Sequence, residues 1–460
     1  MKIAFCSSEV FPFAKTGGLG DVAGALPAAL AKADCEVKVF MPLFKGIKPQ
    51  KMHGDFGTTQ KGGVEVFFIK NDKYFLRDSL YVGQDGCDYP DSLERFSFYS
   101  KKVLEILKKI GFCPDIIHCN DWQTSLVNAY LKILYKKDAC FKNTKSVLTI
   151  HNMAYQGISP KEKFKYLGID NKYFDQKYFE YYGKINLLKV GIIFSDMVTT
   201  VSPTYAKQIK TPKHGCGLQG VLTKKGRNVV GILNAIDYGI WNPSIDESIY
   251  KKYSPTSLEN KIVNKLSLQK ELGLEEDKDK FILGMVTRLA EQKGIDILSG
   301  ALDTILGQHQ VVILGLGELR YHKILKEKAK KFKKAFSLSL KFNEVLAHKI
   351  YAGSDAFLLP SRFEPCGLSQ MISYKYATLP LVHYTGGLVD TVIDVKDDGG
   401  GFVFTKYKSK DLSETVTRAS KVFKDKQRWQ NILNKVTKYN FSWEIAASRY
   451  IRTYGRLLGA

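Results

Sequence analysis

Short runs of β-branched and aromatic residues alternate with longer amphipathic stretches from one end of the chain to the other. This is the pattern of parallel sheets built from strand–helix–strand units. In the first half it predicts strands at Lys2–Cys6, Glu36–Met41, Val64–Ile69, Asp115–Cys119, Ser146–Ile150 and Met197–Val201. Arg95–Ile110 places Phe96, Tyr99, Val103, Ile106, Leu107 and Ile110 at helical spacing, and Asp121 stands where an N-cap would open a helix over Trp122–Tyr135. The polar stretch Asp246–Lys261 reads as a linker region. Beyond it, strands at Phe281–Val286, Val311–Leu314, Ala356–Leu359 and Leu379–His383 alternate with further helices, and Trp443–Leu458 reads as a last one.

Each half carries nearly the same phrase, Thr16-Gly17-Gly18-Leu19-Gly20-Asp21-Val22 early and Thr385-Gly386-Gly387-Leu388-Val389-Asp390-Thr391-Val392 late, just before a helical pattern. Paired glycines let a backbone approach a ligand. A helix start adds N–H donors and a positive dipole end worth about 0.3 to 2 kcal/mol toward an anion. The expected architecture is therefore α/β, with two Rossmann-like halves presenting anion-ready turns to a shared cleft. Their bounds are expected near 1–245 and 246–440, with the 441–460 helix packing back on the first half. Gly18-x-Gly20-x-x-Ala23, with Asp34 and Glu36 beyond, also matches a relaxed dinucleotide fingerprint. Against that, ten residues separate Gly17 from the first strand, longer than the tight turn such a fingerprint needs.

With 44% hydrophobic and 25% charged residues in 460, disordered, collagenous and disulfide-framework classes are excluded. The net charge of +23 raises polyanions, anionic membranes and phosphorylated small molecules as partners. The excess Lys is scattered in pairs such as Lys108-Lys109, Lys136-Lys137 and Lys224-Lys225, the pattern of a solvated surface, and no nucleic-acid partner is expected. Eight Cys at irregular spacing with no C-x-x-C pair predict reduced thiols. No apolar run approaches the roughly 18 residues that span a bilayer, and the N-terminus is too polar for a signal peptide. A cytoplasmic protein with no membrane partner is expected.

Arg288 and Lys293, in Thr287-Arg288-Leu289-x-x-Gln292-Lys293-Gly294, follow a predicted parallel strand, the end at which open α/β sheets bind ligands. A guanidinium fork and an ammonium together suit a diphosphate without metal, although two solvated cations would look the same. Glu364, in Ser361-Arg362-Phe363-Glu364-Pro365-Cys366-Gly367-Leu368, also follows a strand. It is placed to accept sugar hydroxyls or to oppose positive charge in a glycosyl transition state, or only to bond backbone N–H groups. Cys366 has no neighbouring His to activate it as a nucleophile. His118, Asp121, His151 and Asn152 lie at the ends of first-half strands, and neither H-E-x-x-H nor another metal-ligand spacing is present.

Taken together and in this order, KTGGLGDV, HCNDWQ, TIHNMAYQG, YGKINLLKVGI, TTVSPTYA, TRLAEQKGID, SRFEPCGLSQM and TGGLVDTV resemble the bacterial glycogen synthase and starch synthase family, from about Lys2 to Tyr454. The resemblance implies a two-Rossmann-domain (GT-B) glycosyltransferase. Such an enzyme moves glucose from ADP-glucose to the non-reducing end of an α-1,4-glucan, with retention and without metal or other cofactor. Lys15, Gly17, Gly18 and Asp21 then resemble the loop beside the donor phosphates, and Arg288 and Lys293 the pair that neutralises the leaving diphosphate. Glu364 matches the carboxylate on the donor glucose and His151 the residue beside the anomeric carbon. Asp121, Asn152 and Asn234 resemble substrate-contacting neighbours, Cys366, Gly367 and Leu368 complete the Glu364 loop, and Thr385, Gly386 and Gly387 resemble a second phosphate-side turn.

The chain departs from the family pattern at His214, Gln219, Ala235, Ala377 and His383, which stand where an aromatic, Glu, Gly, Gly and Arg are usual. Ala235 and Ala377 would be strained at positive φ, and His383 removes a permanent cation. A UDP-glucose-preferring relative and a catalytically weakened glucan- or polyanion-binding protein are the competing readings. A front-face and a covalent route to retention remain equally open.

Overall fold

In the computed structural model, which describes residues 1–83 and 86–459, the chain divides into two compact units. One comprises Met1–Asn234 and the segment from Trp443 onward, the other Ala235–Ser442. The first division thus falls about ten residues before the expected 245, and position 460 of the expected 441–460 segment lies outside the described residues. Asp246–Lys261 belongs to the second unit because its polar groups are used there. The Asp246 carboxylate accepts from the Tyr376 hydroxyl (2.5 Å) and pairs with His348 Nδ1 (2.6 Å). The fully buried Lys261 ammonium donates to the carbonyls of Ala352 (2.8 Å) and Tyr376 (2.9 Å) and to the Thr378 hydroxyl (2.7 Å). The polarity of the stretch thus includes satisfied buried groups beside exposed ones such as Glu247, Lys251 and Lys252.

In the first unit the strands are β1 (Lys2–Cys6), β2 (Glu36–Pro42), β3 (Lys51–Met52), β4 (Phe56–Lys61), β5 (Val64–Ile69), β6 (Ile116–Asn120), β7 (Lys145–Ile150), β8 (Ile158–Pro160), β9 (Glu180–Tyr181), β10 (Lys184–Asn186), β11 (Met197–Thr200) and β12 (Val229–Gly231). Nine of them form one sheet in the order β12-β11-β7-β6-β1-β2-β5-β4-β3, and β8-β10-β9 form a small second sheet. β1 lies between β2 and β6, paired parallel to both, with Ile3, Ala4, Phe5 and Cys6 fully buried. The helix Gly18–Lys32 packs against Trp443–Leu458, and Tyr454 from the latter places its hydroxyl 2.6 Å from His118 Nδ1. His118 also bonds Thr149 Oγ1 (2.6 Å), and burial pushes its pKa down to about 3, so it is a neutral core residue.

In the second unit, β13 (Ile282–Val286), β14 (Gln310–Leu314), β15 (Phe336–Ser339), β16 (Ala356–Leu359), β17 (Leu379–His383) and β18 (Phe402–Phe404) form an all-parallel sheet ordered β15-β14-β13-β16-β17-β18. Counted within the unit this is the Rossmann order 3-2-1-4-5-6. Both sheets reverse direction beside their first strand, between β1 and β6 and between β13 and β16.

The expectation of eight reduced thiols is corrected. Cys113, just before β6, is disulfide-bonded to Cys140, in the loop leading to β7, with Cα atoms 4.9 Å apart. The amino ends of two adjacent parallel strands bring the two together, although 27 residues separate them in sequence. Among the described residues no helix is long and apolar enough to cross a membrane, and no group of three or more His, Cys, Asp or Glu is gathered to hold a metal ion.

Candidate active site

The predicted chemistry collects at the carboxyl ends of the strands flanking each reversal and of the next strand along, β7 or β17. At a reversal, loops leaving in opposite directions open a crevice in an α/β sheet. In the first unit, Lys15, Gly17, Gly18 and Asp21 follow β1, Asp121 follows β6, and His151 and Asn152 follow β7. In the second, Arg288 and Lys293 follow β13, Glu364, Cys366, Gly367 and Leu368 follow β16, and Thr385, Gly386 and Gly387 follow β17. Asn234 stands apart, beyond edge strand β12, with its side-chain Oδ1 buried and without a hydrogen-bond partner.

In the first unit, Asp121 does not cap its helix as expected. The helix runs Asp121–Ile133, Asn120 is the N-cap, and Asp121 takes φ +56°. That strained conformation points its carboxylate to the next strand end, where Oδ1 accepts the His151 N–H at 2.7 Å. Burial pushes the Asp121 carboxyl up to about 7. Asn120 Nδ2 donates to the Cys6 carbonyl (2.9 Å), so its Oδ1, 2.9 Å from His151 Nε2, accepts from that nitrogen. His151 is thereby fixed as the Nε2–H tautomer, and burial holds its pKa at about 3. At neutral pH the ring carries no charge.

Lys15 extends to Asp21 (Nζ to Oδ1 2.6 Å), and Gly17, with nothing within 4 Å of the position a Cβ would take, caps the helix Gly18–Lys32. Beneath the turn lies Glu9, only 3% exposed. Its carboxylate accepts from Thr16 N (2.5 Å), Thr16 Oγ1 (2.6 Å), Gly17 N (3.4 Å) and the Tyr81 hydroxyl (2.8 Å). Glu9, Tyr81 and Asn120 were not singled out from the sequence. Glu9 follows a predicted strand by three residues, a signal comparable to that of Arg288, whereas nothing local to Tyr81 announces its partner 72 residues away.

In the second unit, Lys293 Nζ lies 2.6 Å from Glu364 Oε2, which also accepts from Ser361 Oγ at 3.0 Å. Their side chains are 19% and 7% exposed, so the pair is largely removed from water. Gly294, at φ +75°, lets the Lys293 loop meet the Glu364 loop, since a Cβ there would stand 2.0 Å from the Pro360 carbonyl oxygen. Gly386 does the same on the other side, where a Cβ would fall 1.8 Å from the Glu364 carbonyl oxygen, which Gly387 N–H bonds at 3.0 Å. His383 donates from Nδ1 to the Ser361 carbonyl (2.8 Å), and Gln370 Nε2 bonds the carbonyls of Cys366 (3.0 Å) and Gly367 (2.9 Å). Arg288 is exposed, with no carboxylate in ion-pair reach among the described residues.

Residues 2–224 match the family model "Starch synthase catalytic domain" and residues 269–435 match "Glycosyl transferases group 1". The chain is 43% identical to a glycogen synthase of Geotalea uraniireducens, over 99% of its own length and 98% of that protein's. It is 42% identical to a glycogen synthase of Thermosipho melanesiensis, over 100% and 99%. It belongs to the glycogen and starch synthase family. Among solved structures, the catalytic domain of Arabidopsis thaliana starch synthase IV, bound to ADP and acarbose, superposes with a TM-score of 0.90 at 32% identity, covering 100% of this chain and 99% of that one. Sucrose-phosphate synthase from Thermosynechococcus elongatus shares the fold at 16% identity, TM-score 0.66, covering 100% and 99%. The protein is accordingly a glycosyltransferase of this family with the GT-B fold.

Proposed function

We propose that the chain transfers glucose from ADP-glucose to the non-reducing end of an α-1,4-glucan with retention of configuration, in the cytoplasm and without a metal or other cofactor. The observation that carries this reading is the Lys293–Glu364 pair, held between two loops by Gly294 and Gly386, with Arg288 exposed at the end of the neighbouring strand. Arg288 and Lys293 supply two positive charges for the departing diphosphate. Aimed at charge that grows in the transition state, each contributes roughly 3 to 4 kcal/mol. Both bonds to Glu364 fall on Oε2, and in this reading Oε1 accepts a donor glucose hydroxyl. The neutral His151 and the carboxyl of Asp121 are assigned to the glucose, where an uncharged imidazole adds no repulsion to a sugar gaining positive character. In this reading the leaving phosphate oxygen takes the proton of the incoming glucan hydroxyl, because retention brings both to one face of the ring.

The test is incorporation of radiolabelled glucose into glycogen from ADP-glucose and from UDP-glucose, without added metal, by wild type and by Glu364→Ala. ADP-glucose should be the better donor, and Glu364→Ala should lose on the order of 10³-fold in kcat. Faster transfer from UDP-glucose overturns the donor assignment, and a folded wild type inactive with both donors overturns the activity.

A further inference from the structure

We propose that Glu9 is a positioning residue for the donor-phosphate turn, its carboxylate deciding which N–H groups of that turn face the ligand and Tyr81 holding the carboxylate in place. The inference rests on the reading above, which puts the donor phosphates beside Gly17 and Gly18.

A helix start is usually counted as a set of unpaired donors open to an anion. Here two N–H groups of the turn, from Thr16 and Gly17, already point inward to Glu9 Oε2. The donors left for a phosphate are narrowed to those of Gly18 and Leu19, the first two helical residues. Turning the Thr16 and Gly17 amides inward also leaves the Gly17 Cα facing open space, so the chain can approach a phosphate closely at that point.

A carboxylate is a costly choice for this task. Glu9 is 3% exposed, and no cation is within ion-pair distance of it among the described residues. Its charge is stabilised by four donors alone, three of them in the turn. The fourth comes from outside. Tyr81 donates its hydroxyl to Oε1 at 2.8 Å and lies 2.8 Å from Ser8 Oγ. The residue before it is fixed in turn, since the fully buried Arg95 guanidinium donates to the carbonyls of Leu80 (3.0 Å) and Tyr74 (2.8 Å). One chain of bonds thus runs from Arg95 through Leu80, Tyr81 and Glu9 to Thr16 and Gly17.

The experiment compares wild type, Glu9→Gln and Tyr81→Phe in the full chain by ADP titration calorimetry, by KM for ADP-glucose and for glycogen, by kcat and by melting temperature. Gln can keep its oxygen on the Thr16 and Gly17 N–H groups only by turning its NH2 to the Thr16 and Tyr81 hydroxyls, which must both change from donating to accepting, so the bonds that fix the turn are rearranged. ADP affinity should fall roughly tenfold and donor KM rise by a similar factor, with glycogen KM unchanged. Tyr81→Phe removes one of the four bonds and should cost about threefold in ADP affinity, which keeps the test alive if Glu9→Gln does not fold. Wild-type ADP affinity in either folded variant, or donor and glycogen KM rising together, overturns the inference. A wild type that binds ADP yet transfers no glucose overturns the activity alone, because the ADP affinities still decide the role of Glu9.

Discussion

The two TGGL phrases are nearly identical as sequence and opposite as structure. The early turn is open outward and bonded inward by a side chain, with Gly17 extended at φ −163°, nothing within 4 Å of its absent Cβ, and the Glu9 carboxylate underneath. The late turn is closed. Gly386 sits at φ +50°, its absent Cβ 1.8 Å from the Glu364 carbonyl oxygen, and that of Gly387 2.5 Å from Cys366 Cα. The early turn opens a helix of 15 residues, the late one a helix of five, Gly387–Thr391. One phrase therefore serves two purposes. In the first turn glycine leaves the space beside the backbone open, and in the second it gives room to the backbone that carries Glu364.

The comparison breaks most directly at Gly386. Gly386→Ala must add a methyl inside contact distance of a backbone oxygen at a φ that Ala resists, so the Glu364 loop has to shift. A displacement near 1 Å at a reacting group costs on the order of 10²-fold, and the expected result is at least that loss of kcat with a clear fall in melting temperature. Gly17→Ala should leave the melting temperature unchanged, since its φ suits any residue and the space is empty, while raising donor KM. Equal melting temperatures for the two variants would erase the distinction.

Much of this was legible beforehand. The strands at Lys2–Cys6, Val64–Ile69, Ala356–Leu359 and Leu379–His383 and the helix Trp443–Leu458 have the ends their patterns predict, the strands as mainly apolar runs stopped by turn residues and the helix as an amphipathic stretch. The candidate residues were readable as strand-end residues: Arg288, Glu364 and His151 each follow a strand by one to five residues. What stayed hidden depends on contacts distant in sequence. The Cys113–Cys140 bond, the Tyr81–Glu9 hydrogen bond and the use of Asp246 and Lys261 inside the second unit each join segments that only the sheet order brings together. The antiparallel β3 and β4 and the small β8-β10-β9 sheet went unpredicted because their strands are short and half polar.

A smaller effect sharpens the contrast between the candidate residues of the two units. In the first unit the Glu9 carboxylate is buried with no cation in ion-pair reach among the described residues, and Asp121 is raised from its ordinary 3.8 to about 7 by burial. Below pH 4 the folded and unfolded chains both hold this proton. Between about pH 4 and 7 only the unfolded carboxyl ionises, so stability falls as pH rises, and above 7 the loss is constant. Asp121→Asn cannot ionise and keeps an oxygen for the His151 N–H. Its stability relative to wild type should therefore grow by about 2 kcal/mol from pH 4 to 7, half the value of three pKa units because the carboxyl keeps some solvent. Calorimetric melting at both pH values reads the difference, and a gap independent of pH would show that Asp121 is ionised in the fold.

Ala377 isolates the smallest part of the Gly386 argument. It shares φ +50° with Gly386 but is not glycine, and it closes the helix Ser369–Lys375 in a Schellman motif. Ala377 N–H bonds the Tyr374 carbonyl (3.0 Å) and Thr378 N–H the Ser373 carbonyl (2.8 Å), the two bonds that define the motif, with Ala in the left-handed position where glycine is preferred. Of the two alanines expected to strain a positive φ, only this one does, since Ala235 is not among the residues with positive φ. Ala377→Gly removes the Cβ penalty and adds unfolded-chain entropy. The two terms, roughly 1 to 2 and 0.4 to 1 kcal/mol, leave a net gain of about 1 kcal/mol and no change in kcat. Gly386 combines φ +50° with ψ −134°, a region that only glycine enters readily, so Gly386→Ala should cost more than Ala377→Gly gains, through that ψ and the approach to the Glu364 carbonyl at 1.8 Å together. A Gly386→Ala cost no larger than that gain would show that neither carries weight.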